Sequence, residues 1–546
     1  MKNVRSVIRQ TVTGYAGLSL GIVLAVAGAI VTALLPPWIL GSIVDTITAG
    51  NAVPVALVIL YFAFTVLTGL TESLREGLLT VFGQKITHAL RSSMMEKYTN
   101  LTAGELTKQE PGTIVSRFVG DVDTVENLFT SGIISMFADA CKIISILVVI
   151  WLKNRGLAIV LLILLPFLYW FTRTVQKNML KAQIENRRAV GRASGHVPET
   201  LHNIRTIHTL GKERYMEQRY DEYIVESYRA VDRTNFYDAI YSPVILILNA
   251  VVVAVVMLFS ASGNARVLTL FGMSAGTAVA VINYISQIFT PVESLGMEIQ
   301  TIQSAVAGVH RINEFYALEE LPEKNSGVKP AEPQNRPENP FVELQNVTFA
   351  YEDDSRKILH HLNFQVYPGE QVTLSGRTGA GKSTVFKLLL GLYQPEEGKV
   401  LMQGRDAFQI PEHEKRSLYG YVEQTFHRVP GTVKDQITLY DDSFTMEEVR
   451  EAARIAGLDA TIEQLEKGYD TLCTSEIFSQ GQWQLLSIAR AAVAKPKLLL
   501  LDEITANLDA QTEEEVLQAL KRASEGRTVI SISHRVNAET GRIINI

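Results

Sequence analysis

Between Tyr15 and Val44 the chain carries no charged side chain, and that run decides what solvent this part of the molecule must meet. A helix needs about 20 apolar residues to cross the hydrocarbon core of a bilayer, so this stretch can cross it with tilt to spare. Comparable runs follow at Val53–Leu70, Ile133–Leu152, Leu157–Phe171, Ile240–Phe259 and Leu268–Phe289. One such run can be a buried core helix. Six of them ahead of residue 300 cannot all be core in a domain of that size. The first half is therefore expected to be an α-helical membrane domain with six transmembrane helices. Lys2, Arg5 and Arg9 precede the first run, but the run far exceeds the apolar region of a signal peptide, so no cleavable leader is expected.

Orientation follows from the connections. Asp45–Ala52 holds no Lys or Arg, Lys153–Gly156 holds two and Ser260–Val267 one, whereas Arg173–Arg233 holds twelve. The bias of basic residues toward the cytoplasm places both termini and the two long connections on that side. Those connections, Gly83–Thr130 and Arg173–Tyr237, carry apolar residues at helical spacing among charges, as at Ile204, Ile207 and Leu210. They are expected to be helical extensions into the cytoplasm. Polar residues within or near the runs are Asp139, Lys142, Asp238, Asn249, Asn283 and Gln287. Such groups either line a pathway or lie where the helices outrun the bilayer. Asn283 and Gln287, four apart, are the better candidates for a cavity-facing stripe.

Charge excludes one class. Up to Glu323 there are 26 Lys and Arg against 25 Asp and Glu, and the remainder holds 25 against 32. Neither half has the basic excess of a nucleic-acid binder. Cys141 and Cys473, one in each half, build neither a disulfide framework nor a zinc site.

From Glu319 to Pro340 the sequence turns to Pro and charge, which marks a linker. The expected domains are thus a membrane domain over 1–318, a linker over 319–340 and a second domain over 341–546. In the second, short β-branched or Leu runs alternate with helical stretches, the pattern of an α/β fold. Its strongest motif is Gly376, Arg377, Thr378, Gly379, Ala380, Gly381, Lys382, Ser383, Thr384, which follows the strand-like Gln371–Ser375 and opens a predicted helix, Thr384–Leu392. Glycines let backbone N–H groups close around phosphates at a helix N-terminus. Lys382 then reaches the β- and γ-phosphates and Ser383 the Mg²⁺. A bare Gly-rich turn is the alternative, and the strand–loop–helix setting disfavours it. Lys497–Leu501 is an apolar strand ending on Asp502 and Glu503, at the edge where parallel sheets bind ligands. Asp502 is placed to hold the metal shell, and Glu503 to polarise the attacking water. Thr528–Ser533 delivers His534 to the same edge, within reach of the γ-phosphate.

With these residues in view, the whole chain resembles the exporter-type ABC transporters, in which a membrane domain and a P-loop ABC ATPase domain are fused. Tyr351 matches the aromatic that stacks on adenine, and Gln424 the Q-loop glutamine, a ligand of Mg²⁺. Phe478, Ser479, Gln480, Gly481 and Gln482 occupy the signature, Asn507–Asp509 the D-loop, and His534 the switch histidine. In the membrane half Gly112, Ser116, Arg117 and Asp121 resemble the family's first cytoplasmic loop, and Gly276–Val279, Tyr284, Pro291 and Val292 its last span. The resemblance implies a dimer sandwiching two ATPs, each between one chain's P-loop and the other's signature. It also implies domain-swapped cytoplasmic helices that transmit closure to the membrane.

Three features depart from the family pattern. Phe478 and Gln480 stand where the signature usually has Leu and Gly. Leu472–Ile477 replaces the acidic, Gly-rich stretch before it. Relatives usually run on beyond the strand at which this chain reaches Ile546. Glu503 beside a degraded signature implies a heterodimer with a second half-transporter in the plasma membrane, a homodimer being the alternative. The expected activity is ATP-driven export of a lipophilic compound, peptide or lipid. Siderophore-type import and an ATP-gated channel or sensor are the other readings.

Overall fold

The structure is a computed structural model that describes residues 3–260, 274–322, 339–351, 356–377, 379–503, 508–532 and 541–546. At some helix positions, Asp238 and Asn249 among them, only the backbone is described. The chain divides into two compact units, residues 1–99 with 110–318 and residues 100–109 with 319–546.

The first unit is built of helices joined by short turns. Its long helices are Ala16–Thr48, Val55–Thr99, Pro111–Lys153, Arg155–His202, Glu213–Ser260 and Ala275–Ala317. Four of them, Ala16–Thr48, Val55–Thr99, Pro111–Lys153 and Ala275–Ala317 through its part Ala275–Val292, are long and apolar enough to cross a membrane among the described residues. The fourth and fifth predicted runs lie in Arg155–His202 and Glu213–Ser260. The start of the sixth, from Leu268, lies outside the described residues. The two long connections are helical, with Val55–Thr99 and Arg155–His202 running unbroken far past their apolar parts.

Apolar side chains cover the outside of this unit. Leu24, Phe62, Ile163 and Leu258 are all at least 60% exposed, a cost in water and an ordinary contact in lipid. The inside is tight. Gly41 and Gly276 bring two helices into backbone contact, and a Cβ on Gly276 would sit 1.8 Å from the Gly41 carbonyl oxygen. Asp45 locks that crossing by accepting from the Gly276 N–H and the Ser274 hydroxyl, both at 2.8 Å. Elsewhere in the unit, buried Asp121 shares the Arg311 Nε–H between both carboxylate oxygens at 3.0 Å, and Arg311 Nη2 donates to Oδ1.

Of the polar residues singled out within the spans, Asp139 accepts from the Ser294 hydroxyl at 2.7 Å. Asn283 donates back to the Val279 carbonyl at 2.9 Å. Gln287 keeps a buried amide oxygen with no hydrogen-bond partner.

In the second unit Leu101 bridges Glu320, and Thr102 N–H donates to the Glu319 carbonyl at 3.2 Å. The short helix Ala103–Lys108 follows. Two sheets come next. An antiparallel sheet runs β2 (Leu359–Val366), β1 (Val342–Phe349), β4 (Glu397–Met402), β5 (Arg405–Asp406). A parallel sheet runs β6 (Tyr419–Val422), β7 (Leu498–Asp502), β8 (Thr528–Ile532), β3 (Gln371–Ser375), β9 (Arg542–Asn545). Leu498, Leu499, Leu500 and Leu501 are all buried, as an apolar run in a sheet covered on both faces must be. The chain's functional motifs leave from the C-terminal ends of β3, β6 and β7.

Candidate functional site

The Gly-rich loop joins β3 to the helix Lys382–Leu389. The helix begins two residues earlier than the sequence predicts, so Lys382 and Ser383 belong to its first turn, where free N–H groups point outward. Gly379 and Gly381 take φ +84° and +98°, which L side chains rarely adopt. A Cβ on Gly381 would also meet Leu359 at 2.7 Å. Lys382 is buried and its ammonium donates to the carbonyls of Gly376 at 2.9 Å and Arg377 at 3.2 Å. The loop thus encloses one cation, framed by backbone amides. Thr378 lies outside the described residues.

β7 delivers its two carboxylates to the same sheet edge. Burial raises the pKa of Asp502; the Tyr421 hydroxyl, donating to Oδ2 at 3.2 Å, pulls it down, Glu503 and Glu423 raise it further, and Lys382 lowers it. Glu503 has φ +43°, a left-handed conformation that costs a non-glycine residue energy and recurs where geometry serves chemistry. Its N–H donates to the Ile532 carbonyl at 3.2 Å, and its carboxylate accepts from the Gln424 amide at 3.2 Å. Gln424 is thus joined to Glu503 by a hydrogen bond, and the Lys382 charge acts on neighbouring Asp502. His534 lies outside the described residues.

Beside the P-loop helix, Tyr351 packs edge-on against Phe349 and Tyr393, with ring centroids 5.0 and 5.3 Å away. Lys387 donates to its hydroxyl at 3.2 Å, and Thr384 lies 3.3 Å from the same oxygen.

The signature is built differently. Ser479 caps the helix Gln480–Ala492, and Gln482 closes a reciprocal capping box with it. Phe478 is buried and meets Trp483 edge-on at 5.1 Å, so the departure from Leu is a change of filler. Gln480 is exposed on the first helical position. Gly481 has no room for a side chain, since a Cβ would lie 1.9 Å from Thr512 Cγ2. Asp509 caps the next helix, Ala510–Ser524, and its pKa is held down first by the Thr512 hydroxyl. Asn507 lies outside the described residues. The P-loop helix packs into one hydrophobic core through Val385 and Phe386, and the signature helix into another through Leu485 and Leu486.

Three residues of this site carry no mark in the sequence. Tyr421 holds Asp502. Gln484, buried on the signature helix, donates to the Gln424 carbonyl at 2.5 Å. Arg490 donates to the carbonyls of Gln436 at 2.6 Å and His427 at 3.0 Å, its guanidinium 4.1 Å from the Phe426 ring centroid, and burial lowers its pKa to about 10. Strand alternation could have placed Tyr421 on the face of Asp502; nothing local points to the other two.

Comparison with known proteins finds the following likenesses. The profile of the ABC transporter transmembrane region matches residues 18–292, and that of the ABC transporter residues 359–506. The ABC transporter ATP-binding protein YfiC of Bacillus subtilis is 28% identical over 95% of this chain and 85% of its own. An ATM1-type heavy metal exporter of Novosphingobium aromaticivorans is 30% identical over 93% of this chain and 83% of its own. The solved structure of a bacterial Atm1-family ABC exporter with ATP bound superposes with a TM-score of 0.77 at 25% identity, covering 97% of this chain and 93% of that one.

Proposed function

Because the chain belongs to the ABC transporter family, with the exporter's membrane region and ATPase fused in one polypeptide, we propose that it is one half of a heterodimeric pump that hydrolyses Mg·ATP to export a lipophilic compound, peptide or lipid. The observation that carries the proposal is the group at the end of β7. Glu503, held by Gln424, and Asp502, held by Tyr421, stand at the edge where the P-loop keeps buried Lys382.

Tyr351 stacks on the adenine, and the backbone from Gly376 through Gly381 with Thr378, Ala380 and Thr384 cradles the phosphates. Lys382 leaves the loop carbonyls for the β- and γ-phosphates. Glu503 takes the proton of the attacking water, with His534 at the γ-phosphate. Ser383, Gln424 and Asp502 would hold Mg²⁺. These are all oxygen donors, which suits a hard cation that keeps its own waters and substrate phosphates rather than an all-protein cage. No cluster of three or more His, Cys, Asp or Glu is found among the described residues. The metal would neutralise charge developing on the phosphates. Ser479, Gln480, Gly481, Gln482 and Asp509 face the partner's nucleotide.

The protein is a multi-pass membrane protein, and we place both termini and the ATPase domain, 341–546, in the cytoplasm beneath the plasma membrane. The membrane domain is 1–318, and 319–340 is the linker.

The test is hydrolysis by the protein reconstituted with its partner in nanodiscs. Activity should require Mg²⁺, and Tyr351→Ala should weaken ATP binding by roughly 1–3 kcal/mol, the scale of base–aromatic stacking. ATP turnover indifferent to Mg²⁺, or ATP binding indifferent to Tyr351→Ala, would overturn the assignment.

A further inference from the structure

Asp502 does not end β7 unsupported. β6 and β7 run parallel with Tyr421 opposite Leu500. Since side chains alternate along a strand, the phenol and the Asp502 carboxylate project from the same face. The Tyr421 hydroxyl donates to Asp502 Oδ2 at 3.2 Å. The other side of the phenol is occupied, because its ring meets Phe386 of the P-loop helix edge-on, with centroids 6.2 Å apart. Tyr421 is therefore wedged between the helix that opens the phosphate cradle and the carboxylate assigned to the metal. It joins two elements that come from distant parts of the chain.

We propose that Tyr421 is the positioning residue of the metal-binding carboxylate: its hydroxyl fixes Asp502 Oδ2 and thereby presents Oδ1 to the cation. This rests on the reading of Asp502 as a Mg²⁺ ligand. A carboxylate that binds a metal through one oxygen is oriented by what holds the other, and such outer partners typically carry a 10–100-fold effect on metal affinity. The choice of donor also fits. Asp502 lies beside the carboxylates of Glu503 and Glu423, both of which act on it. A lysine or arginine in place of Tyr421 would relieve that crowding but compete with the incoming cation for the same charge. A phenol donates one hydrogen bond and brings no charge. Gln424, three residues further along the chain and past the end of β6, donates to Glu503 in the same manner, so the segment Tyr421–Gln424 orients both carboxylates at the end of β7.

The experiment uses the full-length protein with its partner in nanodiscs and compares wild type with Tyr421→Phe, which keeps the ring against Phe386 and removes only the hydroxyl. Two affinities are read apart from turnover: Mn²⁺ by electron paramagnetic resonance in the presence of ADP, and a fluorescent ATP analogue in EDTA. Tyr421→Phe should bind Mn²⁺ about tenfold more weakly, with nucleotide affinity in EDTA unchanged. Equal Mn²⁺ affinity in the two proteins would overturn the inference. So would a parallel loss of Mn²⁺ and metal-free nucleotide binding, which would make Tyr421 a packing residue. Wild type that binds the nucleotide but no Mn²⁺ beside it would instead overturn the metal reading itself.

Discussion

Glu503→Gln is expected to stop ATP turnover while leaving ATP affinity nearly intact. A lost general base typically costs 10²–10⁴-fold in rate, about 2.7–5.4 kcal/mol of barrier. The substitution is well suited to isolate that loss. A glutamine at 503 still offers a carbonyl oxygen to the Gln424 amide, which now donates to the carboxylate at 3.2 Å. The backbone bond from the 503 N–H to the Ile532 carbonyl is also unaffected. The phosphate cradle, with buried Lys382 and the left-handed Gly379 and Gly381, belongs to another loop. Turnover by the malachite-green assay and ATP affinity by equilibrium binding separate the two effects. Equal loss of both would show that Glu503 holds the loop together.

The second large effect concerns the signature. Each ATP in this family is sandwiched between one chain's P-loop and the other chain's signature, so a defect in a signature harms the partner's site. Gln480 puts a side chain at the opening turn of the helix Gln480–Ala492, where the family has Gly and backbone must approach phosphate closely. The neighbouring positions keep their demands: Ser479 and Gln482 complete the capping box, and Gly481 is pinned against Thr512. One chain thus combines an intact Glu503 with an altered signature. Purified alone it should hydrolyse ATP poorly, and mixed with its partner well. In the mixed dimer Glu503→Gln here should remove most of the activity, while replacement of Ser479 here should spare most of it. Full activity of the chain alone, with no gain from Gln480→Gly, would make it a homodimer.

What the sequence disclosed follows from how local each constraint is. A phosphate cradle needs glycines and a lysine within one loop, so residues 376–384 were readable as they stand. The helix still begins at Lys382 and not at Thr384, because periodicity cannot see a loop that winds directly into a helical turn. A membrane span is likewise a continuous run, and Ala16–Thr48 encloses the first predicted one. Contacts across the fold left no such trace. Tyr421 and Asp502 are 81 residues apart, and Gln484 and Gln424 are 60 apart. The left-handed backbone of Glu503 has no sequence signal, since nothing but its fold imposes a positive φ on a glutamate. Residues 100–109 group with the second unit through a short pairing, the Leu101–Glu320 bridge with backbone bonds from Thr102 to Glu319 and from Leu321 to Asn100, too short to show a pattern.

The proposed export requires that ATP binding change which side of the membrane the helical unit opens to. With Cys141 and Cys473 replaced by serine, single cysteines at Asn283 and Gln287, both half-buried on the helix Ala275–Ala317, report that directly. In vesicles of defined sidedness holding the chain and its partner, a membrane-impermeant maleimide should reach these thiols from the cytoplasmic face when nucleotide is absent. In the Glu503→Gln background, Mg·ATP should cut that labelling by about tenfold, a population shift of about 1.4 kcal/mol, and raise labelling from the opposite face. Labelling from either side that ignores Mg·ATP would contradict the account.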